Sequence, residues 1–234
     1  MWRPDSEDQE TLHRIVKREI IRTEDGSTTI RLADWDECYH SKYGAIQEAY
    51  HVFINNGLSL FKDKPVSVLE IGFGTGLNAF ITYIESENYG QIDYVGIEAY
   101  PVSAEEVAQM NYPAELQSGD EAAFRLMHEA RWENPVAISD RFRLTKRKLF
   151  FNEIDYVDAF DLIYFDAFGF NVQPDLWSAE IFKIMHAALK PSGVLVTYAA
   201  RGVIKRNLTE AGFRVEKLPG PPGKREMIRA FRNN

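Results

Sequence analysis

Residues 66–78 read VSVLEIGFGTGLN, and this stretch carries the prediction of the fold. Its first half, with Pro65 before it, is an apolar run of the kind found in strands that are buried on both faces. Its second half places glycines at positions 72, 74 and 76, directly before a segment with helical character at 77–85. A strand, a glycine-rich turn and a helix make up a βα unit, so the stretch predicts an α/β domain.

The chain downstream continues to alternate between strand and helix signals. Strands are predicted at 92–97, 142–149, 161–166 and 194–198, and helices at 103–110, 176–189 and 203–211. A turn at 190–193 separates the second of these helices from the strand that follows. Segments 213–218 and 226–231 are typical of a closing antiparallel pair. The fold class predicted is α/β and Rossmann-like, with a mainly parallel sheet and an antiparallel strand pair at the carboxyl end.

The 234 residues are expected to form one structural domain, because no linker or repeat divides them. Residues 1–62 are predicted to be an N-terminal extension that packs on a core of residues 63–234. Within the extension, a turn at Asp25-Gly26-Ser27 predicts a hairpin in 15–32. Apolar residues at three-to-four spacing predict an amphipathic helix that begins at Gly44 and ends near Gly57.

Composition excludes several classes of protein. With 45% hydrophobic and 26% charged residues, the chain is globular in character, and no apolar run is long enough to span a bilayer. The first eight residues turn acidic where an export signal needs an apolar segment, so we expect a cytoplasmic protein. Cys38 is the single cysteine, and the five histidines show no helical ligand pair. No metal is predicted.

The net charge is −8, but basic residues are unevenly distributed. From Arg201 to the end there are nine basic residues and three acidic ones, and a second basic cluster lies at 141–148. Two interpretations remain open: these are solvated faces, or one of them binds phosphate on an otherwise acidic protein.

In a parallel sheet, ligands bind at the carboxyl ends of the strands. The Gly72, Gly74 and Gly76 spacing is one residue shorter than the dinucleotide fingerprint, which favours S-adenosylmethionine over a nicotinamide cofactor. The next strand ends at Glu98, where a carboxylate can accept hydrogen bonds from a ribose diol. The alternative, that the glycines only turn the chain and Glu98 is only solvated, is less consistent with their joint occurrence.

The strand at 161–166 ends in Asp166, which we expect to lie where a methyl donor meets its acceptor. A carboxylate there can hold an amine acceptor. An alkylamine is mostly protonated at neutral pH, so Asp166 either receives its proton or only positions the nitrogen. A third possibility is that Asp166 caps a loop.

Several motifs together resemble a specific family. They are EIGFGTGLN at 70–78, Asp166-Ala167-Phe168 followed by Pro174 and Trp177, GKREM at 223–227, YHSKYGA at 39–45 and HVFI at 51–54. In this order they are similar to the methyltransferase domain of the bifunctional tRNA 5-methylaminomethyl-2-thiouridine biosynthesis proteins (MnmC) and to its standalone form (MnmD). The resemblance covers about 30–231. It implies S-adenosylmethionine-dependent N-methylation of the 5-aminomethyl group of wobble uridine in tRNA.

The resemblance also implies roles for individual residues. The residues expected to bind the cofactor are Glu70, Gly72, Gly74, Gly76, Asn78, Glu98, Tyr39 and Tyr43. Asp166 is expected to be catalytic. Phe168 is expected to contact the substrate, while Lys224 and Arg225 are expected to reach the tRNA backbone, which positions RNA without reading its sequence.

Two features depart from the family pattern. The loop at 167–174 reads AFGFNVQP, so the acceptor pocket is expected to differ in shape. No second glycine-rich dinucleotide motif is present to house a flavin, so we expect methylation without removal of a carboxymethyl group.

Other functions remain as alternatives. One is a small-molecule amine N-methyltransferase or an aminopropyltransferase. Aminopropyltransferases have a loop richer in glycine, and the presence of Phe73 and Thr75 in this loop disfavours that enzyme class. Another is a non-catalytic RNA-binding module, which the retained Glu98 and Asp166 argue against.

Overall fold

A computed structural model describes residues 17–233. The first sixteen residues of the predicted extension, including the start of the predicted hairpin, lie outside the described residues. Two sheets are present, one of three strands and one of eight.

The three-stranded sheet comprises β1 (Arg18–Arg22), β2 (Thr28–Leu32) and β3 (Glu37–Cys38). The eight-stranded sheet comprises β4 (Val66–Ile71), β5 (Ile92–Ile97), β6 (Pro135–Ala137), β7 (Phe142–Arg147), β8 (Phe160–Phe165), β9 (Leu189–Thr197), β10 (Phe213–Pro219) and β11 (Glu226–Arg232). The α-helices are α1 (Ala45–Ala49), α2 (Leu77–Glu85), α3 (Ala104–Val107), α4 (Tyr112–Glu115), α5 (Glu121–Glu129), α6 (Ala179–Ala188) and α7 (Gly202–Glu210). A π-helical segment, Tyr50–Asn55, continues α1.

The strand order of the larger sheet is β10-β11-β9-β8-β4-β5-β7-β6. The five strands from β9 to β7 in this order are parallel to one another, whereas β6, β11 and β10 pair antiparallel with their neighbours. The chain moves outward from β4 in both directions, so the strand order reverses beside β4. Ligands bind at such a reversal point in open α/β sheets. The predicted fold class is confirmed.

Alternating side chains of β4 reach two apolar layers, one on each face of the sheet. Val68 packs in the layer that contains Phe80 of α2, and Leu69 packs in the layer that contains Phe182 of α6. Because both faces are covered, β4 is almost wholly buried, which explains why its sequence is nearly continuous in apolar residues.

The N-terminal part packs on the first of these layers. The predicted hairpin is present as the antiparallel pair β1–β2, and Ile30 and Leu32 of β2 are fully buried in the layer that holds Phe80. The predicted amphipathic helix is present as α1 with its π-helical continuation, and Phe53 on it packs against Tyr164 of β8. The extension therefore shares the core of the larger sheet.

The structure differs from the sequence prediction in four elements. Residues 190–193, predicted as a turn, lie within β9, where the pairing with β8 is irregular and Ser192 has φ of 65°. Strand β6 and helices α4 and α5 were not predicted. The strand is only three residues long, and α4 only four, so neither is long enough to show a clear periodicity.

Candidate active site

A cavity lies at the carboxyl ends of β4, β5 and β8. It is lined by residues of the β4–α2 loop, the ends of β5 and β8, and the segment after β3. Those with predicted roles are Tyr39, Gly72, Gly74, Asn78, Glu98, Asp166 and Phe168. Seven predicted residues, separated by up to 129 positions in the chain, thus meet around one cavity because parallel strands end at the same edge of the sheet.

The β4–α2 loop requires glycine at its first turn. Gly72 has φ of +88°, and a Cβ there would lie 2.6 Å from the carbonyl oxygen of Asp166. The β8 end therefore approaches the glycine loop backbone to backbone. This contact, with the hydrogen bond from Asp166 N to Ile71 O at 2.9 Å, sets where the Asp166 side chain begins.

Glu98 follows β5 and is held by backbone amides. Its Oε2 accepts a hydrogen bond from Gly74 N and its Oε1 accepts one from Tyr100 N, both at 2.9 Å. Burial raises the pKa of the Glu98 carboxyl, and these amides oppose the shift. Each carboxylate oxygen has a second lone pair, so Glu98 can still accept hydrogen bonds from a diol in the cavity.

Asn78 connects two carboxyl groups at the start of α2. Its Nδ2 donates to Asp166 Oδ2 at 2.8 Å and to Glu70 Oε1 at 3.0 Å. Glu70 is buried behind Asn78, and burial raises its pKa well above the usual value. The amide thereby orients Asp166 toward the cavity.

Asp166 has a proton affinity suited to chemistry at neutral pH. Burial raises the pKa of its carboxyl to about 7, the negative charge of Glu48 acts in the same direction, and the hydrogen bond from Asn78 and the charge of Lys224 act against it. A carboxyl group with this pKa can both take up and release a proton near neutrality.

Aromatic side chains form the walls of the cavity. Tyr39 and Phe168 meet edge to face with ring centroids 5.0 Å apart, and Tyr100 and Phe150 do so at 5.8 Å. The β8–α6 loop is fixed by Trp177, whose Nε1 donates to Phe168 O at 2.8 Å. These walls offer flat apolar surfaces to a ligand.

Three predicted cofactor residues do not line this cavity. Glu70 acts through Asn78, as described above, and Gly76 is the N-terminal cap residue of α2 with φ of 74°. Tyr43 is 52% exposed and packs against Gly223 over a neighbouring groove. Tyr43 therefore lines the neighbouring groove and not this cavity, and its predicted role in cofactor binding stays a prediction.

Sequence reasoning missed Tyr198, which lines the cavity from the end of β9. Its hydroxyl donates to Ala167 O at 2.9 Å, next to Asp166. It lies one residue beyond the last position of β9, so the rule that functional residues follow strand ends could have found it.

The basic clusters are largely occupied by contacts within the protein. In the cluster at 141–148, Arg143 pairs with Asp93 and Arg147 with Glu133, while Lys146 is buried. In the carboxyl-terminal cluster, Lys224 pairs with Glu48 beside the cavity, whereas Arg225 is exposed to solvent. Of the two predicted tRNA contacts, only Arg225 faces solvent freely.

Residues 17–233 contain neither a membrane-spanning helix nor a cluster of metal ligands. In that range no helix combines the length and apolar character needed to cross a membrane. Within the same range no cluster of three histidine, cysteine or acidic side chains is arranged to hold a metal ion.

Comparison with known proteins identifies the chain's relatives. Residues 140–233 match the family model described as S-adenosyl-L-methionine-dependent methyltransferase. Over 216 residues, 85% of this chain, the sequence is 31% identical to the tRNA 5-methylaminomethyl-2-thiouridine biosynthesis bifunctional protein MnmC of Ralstonia nicotianae. The chain is homologous to the MnmC proteins. It spans 32% of that relative's length, so it corresponds to about a third of the MnmC chain.

Solved structures agree with this relationship at the level of the fold. MnmC2 from Aquifex aeolicus superimposes with a TM-score of 0.73 at 20% identity, covering 99% of this chain and 79% of that one. Spermidine synthase from Thermotoga maritima gives 0.57 at 16% identity, covering 94% and 70%. The predicted resemblance to MnmC is confirmed. The family match confirms the predicted enzyme class, a methyltransferase that uses S-adenosylmethionine.

Proposed function

We propose that this protein transfers a methyl group from S-adenosylmethionine to the 5-aminomethyl nitrogen of wobble uridine in tRNA. The observation that carries the proposal is Asp166, a carboxyl with a pKa of about 7 in an aromatic cavity beside the glycine loop. The names of the MnmC relatives, which refer to a 5-methylaminomethyl product, support the choice of acceptor.

The cavity fits the cofactor by its chemistry. Gly72 and Gly74 have no Cβ to press on Asp166 or Tyr39, so a ligand can approach their backbone. Glu98 presents a carboxylate for the ribose hydroxyls. The aromatic walls at Tyr100 and Phe150 suit the adenine base. Asn78 lies between the cofactor and acceptor sides. When bound, S-adenosylmethionine supplies an electrophilic methyl group.

Asp166 prepares the acceptor nitrogen. A primary alkylammonium ion has no free lone pair, and its pKa of about 10 keeps it protonated at neutral pH. We infer that the ionised Asp166 first binds this ammonium and then accepts one of its protons, which leaves a neutral amine with its lone pair available. Asn78 holds the carboxylate during this transfer, and the proton leaves Asp166 to solvent after the product departs.

The tRNA must present the wobble base to a cavity rather than to a flat surface. We infer that the nucleotide is extruded from the anticodon stack, as in other enzymes that act on bases, and that Phe168 contacts it. Arg225 on the adjacent loop contacts the RNA backbone. Such a reaction places the protein in the cytoplasm, where tRNA is processed.

Mass spectrometry of wobble nucleosides tests the proposal. The purified protein is incubated with S-adenosylmethionine and tRNA that carries 5-aminomethyl-2-thiouridine. We expect conversion to the methylaminomethyl nucleoside by the wild type and far slower conversion by Asp166→Asn. Cofactor binding without conversion of this tRNA would reject the acceptor while leaving the methyltransferase class in place.

A further inference from the structure

A second groove adjoins the cofactor cavity and has an acidic lining. The two share Cys38, Tyr39, His40 and Tyr198 as wall residues, so they are neighbouring parts of one depression. The groove is bounded by α1 on one side and by the β10–β11 loop on the other. Asp166 and Glu98 line the cofactor cavity, whereas Glu48 and Lys224 line the groove beside it.

Carboxylates outnumber ammonium groups in the inner part of this groove. Glu48 on α1 has a side chain only 10% exposed, and it forms an ion pair with Lys224. Glu37 is half-buried, and burial raises the pKa of its carboxyl while Lys224 lowers it. Glu48 and Lys224 also shift the pKa of Asp166 in opposite directions. Lys224 therefore pairs with Glu48, and its charge also lowers the pKa of Glu37 and of Asp166. Lys42, which is exposed, also lines the groove.

The ammonium of Lys224 is held as a bound cation would be. Besides the pair with Glu48, its Nζ lies 4.2 Å from the ring centroid of Tyr198, within the range of a cation–π contact. A carboxylate and an aromatic face are a good receptor for a primary ammonium group. The aminomethyl group of the proposed substrate is itself a primary alkylammonium ion.

We propose that Glu48 and Tyr198 bind the ammonium of the acceptor, and that Lys224 occupies this place until the wobble nucleotide enters. The inference rests on the proposed function and identifies the residues that select its acceptor. Exchange needs only a rotation of the Lys224 side chain out of the groove, because Lys224 belongs to an exposed loop. From Glu48 the nitrogen can move to Asp166, which takes its proton.

Binding measurements with two tRNAs test the inference. One tRNA carries 5-aminomethyl-2-thiouridine at the wobble position and the other carries 2-thiouridine there, with S-adenosylhomocysteine present to prevent turnover. The measured quantity is the ratio of the two dissociation constants, which isolates recognition of the ammonium from contacts to the RNA backbone. Glu48→Gln should reduce the preference for the amine roughly tenfold, as expected for one lost charge-assisted hydrogen bond.

Lys224→Met provides an independent test with the opposite sign. Removing the internal competitor should increase the preference for the aminomethyl tRNA several-fold. Lys190→Met, which breaks an ion pair with Asp161 at the opposite end of the sheet, and Glu216→Gln on β10 are the matched controls and should leave the preference unchanged. Unchanged affinity for S-adenosylhomocysteine shows that each variant is folded.

The outcomes separate this inference from the proposed function. If the wild type methylates the aminomethyl tRNA but Glu48→Gln keeps the wild-type preference, only the role of Glu48 is rejected. The competitor role of Lys224 is rejected if Lys224→Met leaves the preference unchanged. It is also rejected if this variant weakens the binding of both tRNAs equally, as the loss of a phosphate contact would. A wild type that neither methylates this tRNA nor prefers it rejects both proposals.

Discussion

At the scale of single residues, the chemistry depends on how the fold controls one carboxyl group. Asp166 is half-buried in a cavity with aromatic walls, it accepts a hydrogen bond from Asn78, and the charges of Glu48 and Lys224 act on its pKa. Burial opposes ionisation more strongly than these contacts favour it, so the pKa stays raised. The same carboxyl on the surface would be ionised at all physiological pH values and would release a proton too readily to act as a base.

Asp166→Asn should remove most of the activity. The amide keeps the size of the side chain and can still accept from Asn78, but it cannot take a proton. We expect kcat to fall by about 100-fold or more, in line with the loss of a general base, with little change in cofactor affinity. Steady-state kinetics and calorimetric titration measure the two effects. Asp155→Asn, at an exposed position, is the control, and a near-normal kcat for Asp166→Asn would remove Asp166 from the mechanism.

The raised pKa of Asp166 predicts a pH profile. Asp166 must be ionised to accept a proton, and its ionised fraction rises with pH through about 7. At saturating cofactor, kcat/KM should therefore fall about tenfold per pH unit below 7 and level off above it. If Asp166 only positions an already neutral amine, activity should instead rise continuously toward the amine pKa of about 10.

At the scale of elements, the site depends on the close approach of two strand ends. The β4–α2 loop and the residues after β8 touch through backbone atoms at Gly72 and Asp166. This contact places the glycine loop, which we expect to hold the cofactor, next to the carboxyl of Asp166, which we propose holds the acceptor. The conformation of the loop and the position of Asp166 are therefore coupled, and we expect the addition of one methyl group at Gly72 to affect both.

Gly72→Ala should damage the site, whereas Gly119→Ala should not. Both glycines have positive φ, +88° and +70°, so both alanines incur backbone strain of about 1 kcal/mol. Only at Gly72 would the new Cβ collide with another backbone atom. We expect Gly72→Ala to weaken cofactor binding at least tenfold and Gly119→Ala to leave it unchanged. Calorimetric titration and chemical denaturation measure the two effects, and equal losses of binding would contradict the coupling.

At the scale of the whole molecule, the protein is acidic, whereas the substrate that we propose for it is a polyanion. The net charge of −8 repels RNA over most of the surface, so productive contact is confined to where basic side chains are free. Ion pairs within the protein neutralise much of both basic clusters, as at Arg143 and Arg229. Arg225, exposed on the β10–β11 loop beside the acidic groove, is the contact best placed to guide the RNA to the cavity.

Arg225→Ala should weaken tRNA binding and reduce its dependence on salt. Loss of one phosphate contact lowers the slope of log Kd against log salt concentration by about one. Arg143→Ala removes an exposed arginine of β7 that is already paired with Asp93 of β5, and it should leave the slope unchanged. Filter binding across a salt series measures both variants. Equal slopes for Arg225→Ala and the wild type would place the RNA elsewhere.

The local sequence pattern was sufficient to predict the order of the main strands and helices and to identify the residues at the strand ends. Burial on both faces gives β4 a nearly continuous apolar sequence, which made the strand predictable. Because parallel strands end at one edge of the sheet, Gly72, Glu98 and Asp166 could be placed together from sequence alone. Short elements such as β6 and α4 escaped prediction because too few residues carry their period. The predicted roles of the cofactor-binding residues remain to be tested.

The tertiary structure alone decided which side chains meet within the site. Glu48 and Lys224 are 176 positions apart in the chain, and no local pattern in either segment indicates that they pair. Likewise, only packing determines that Glu70 lies behind Asn78 and that Tyr43 lines the neighbouring groove instead of the cavity. The periodicity of apolar residues indicates whether a residue faces the core, because its face of a helix or strand is set by its position among its neighbours along the chain. The partner that a buried charge acquires depends on how distant elements pack together.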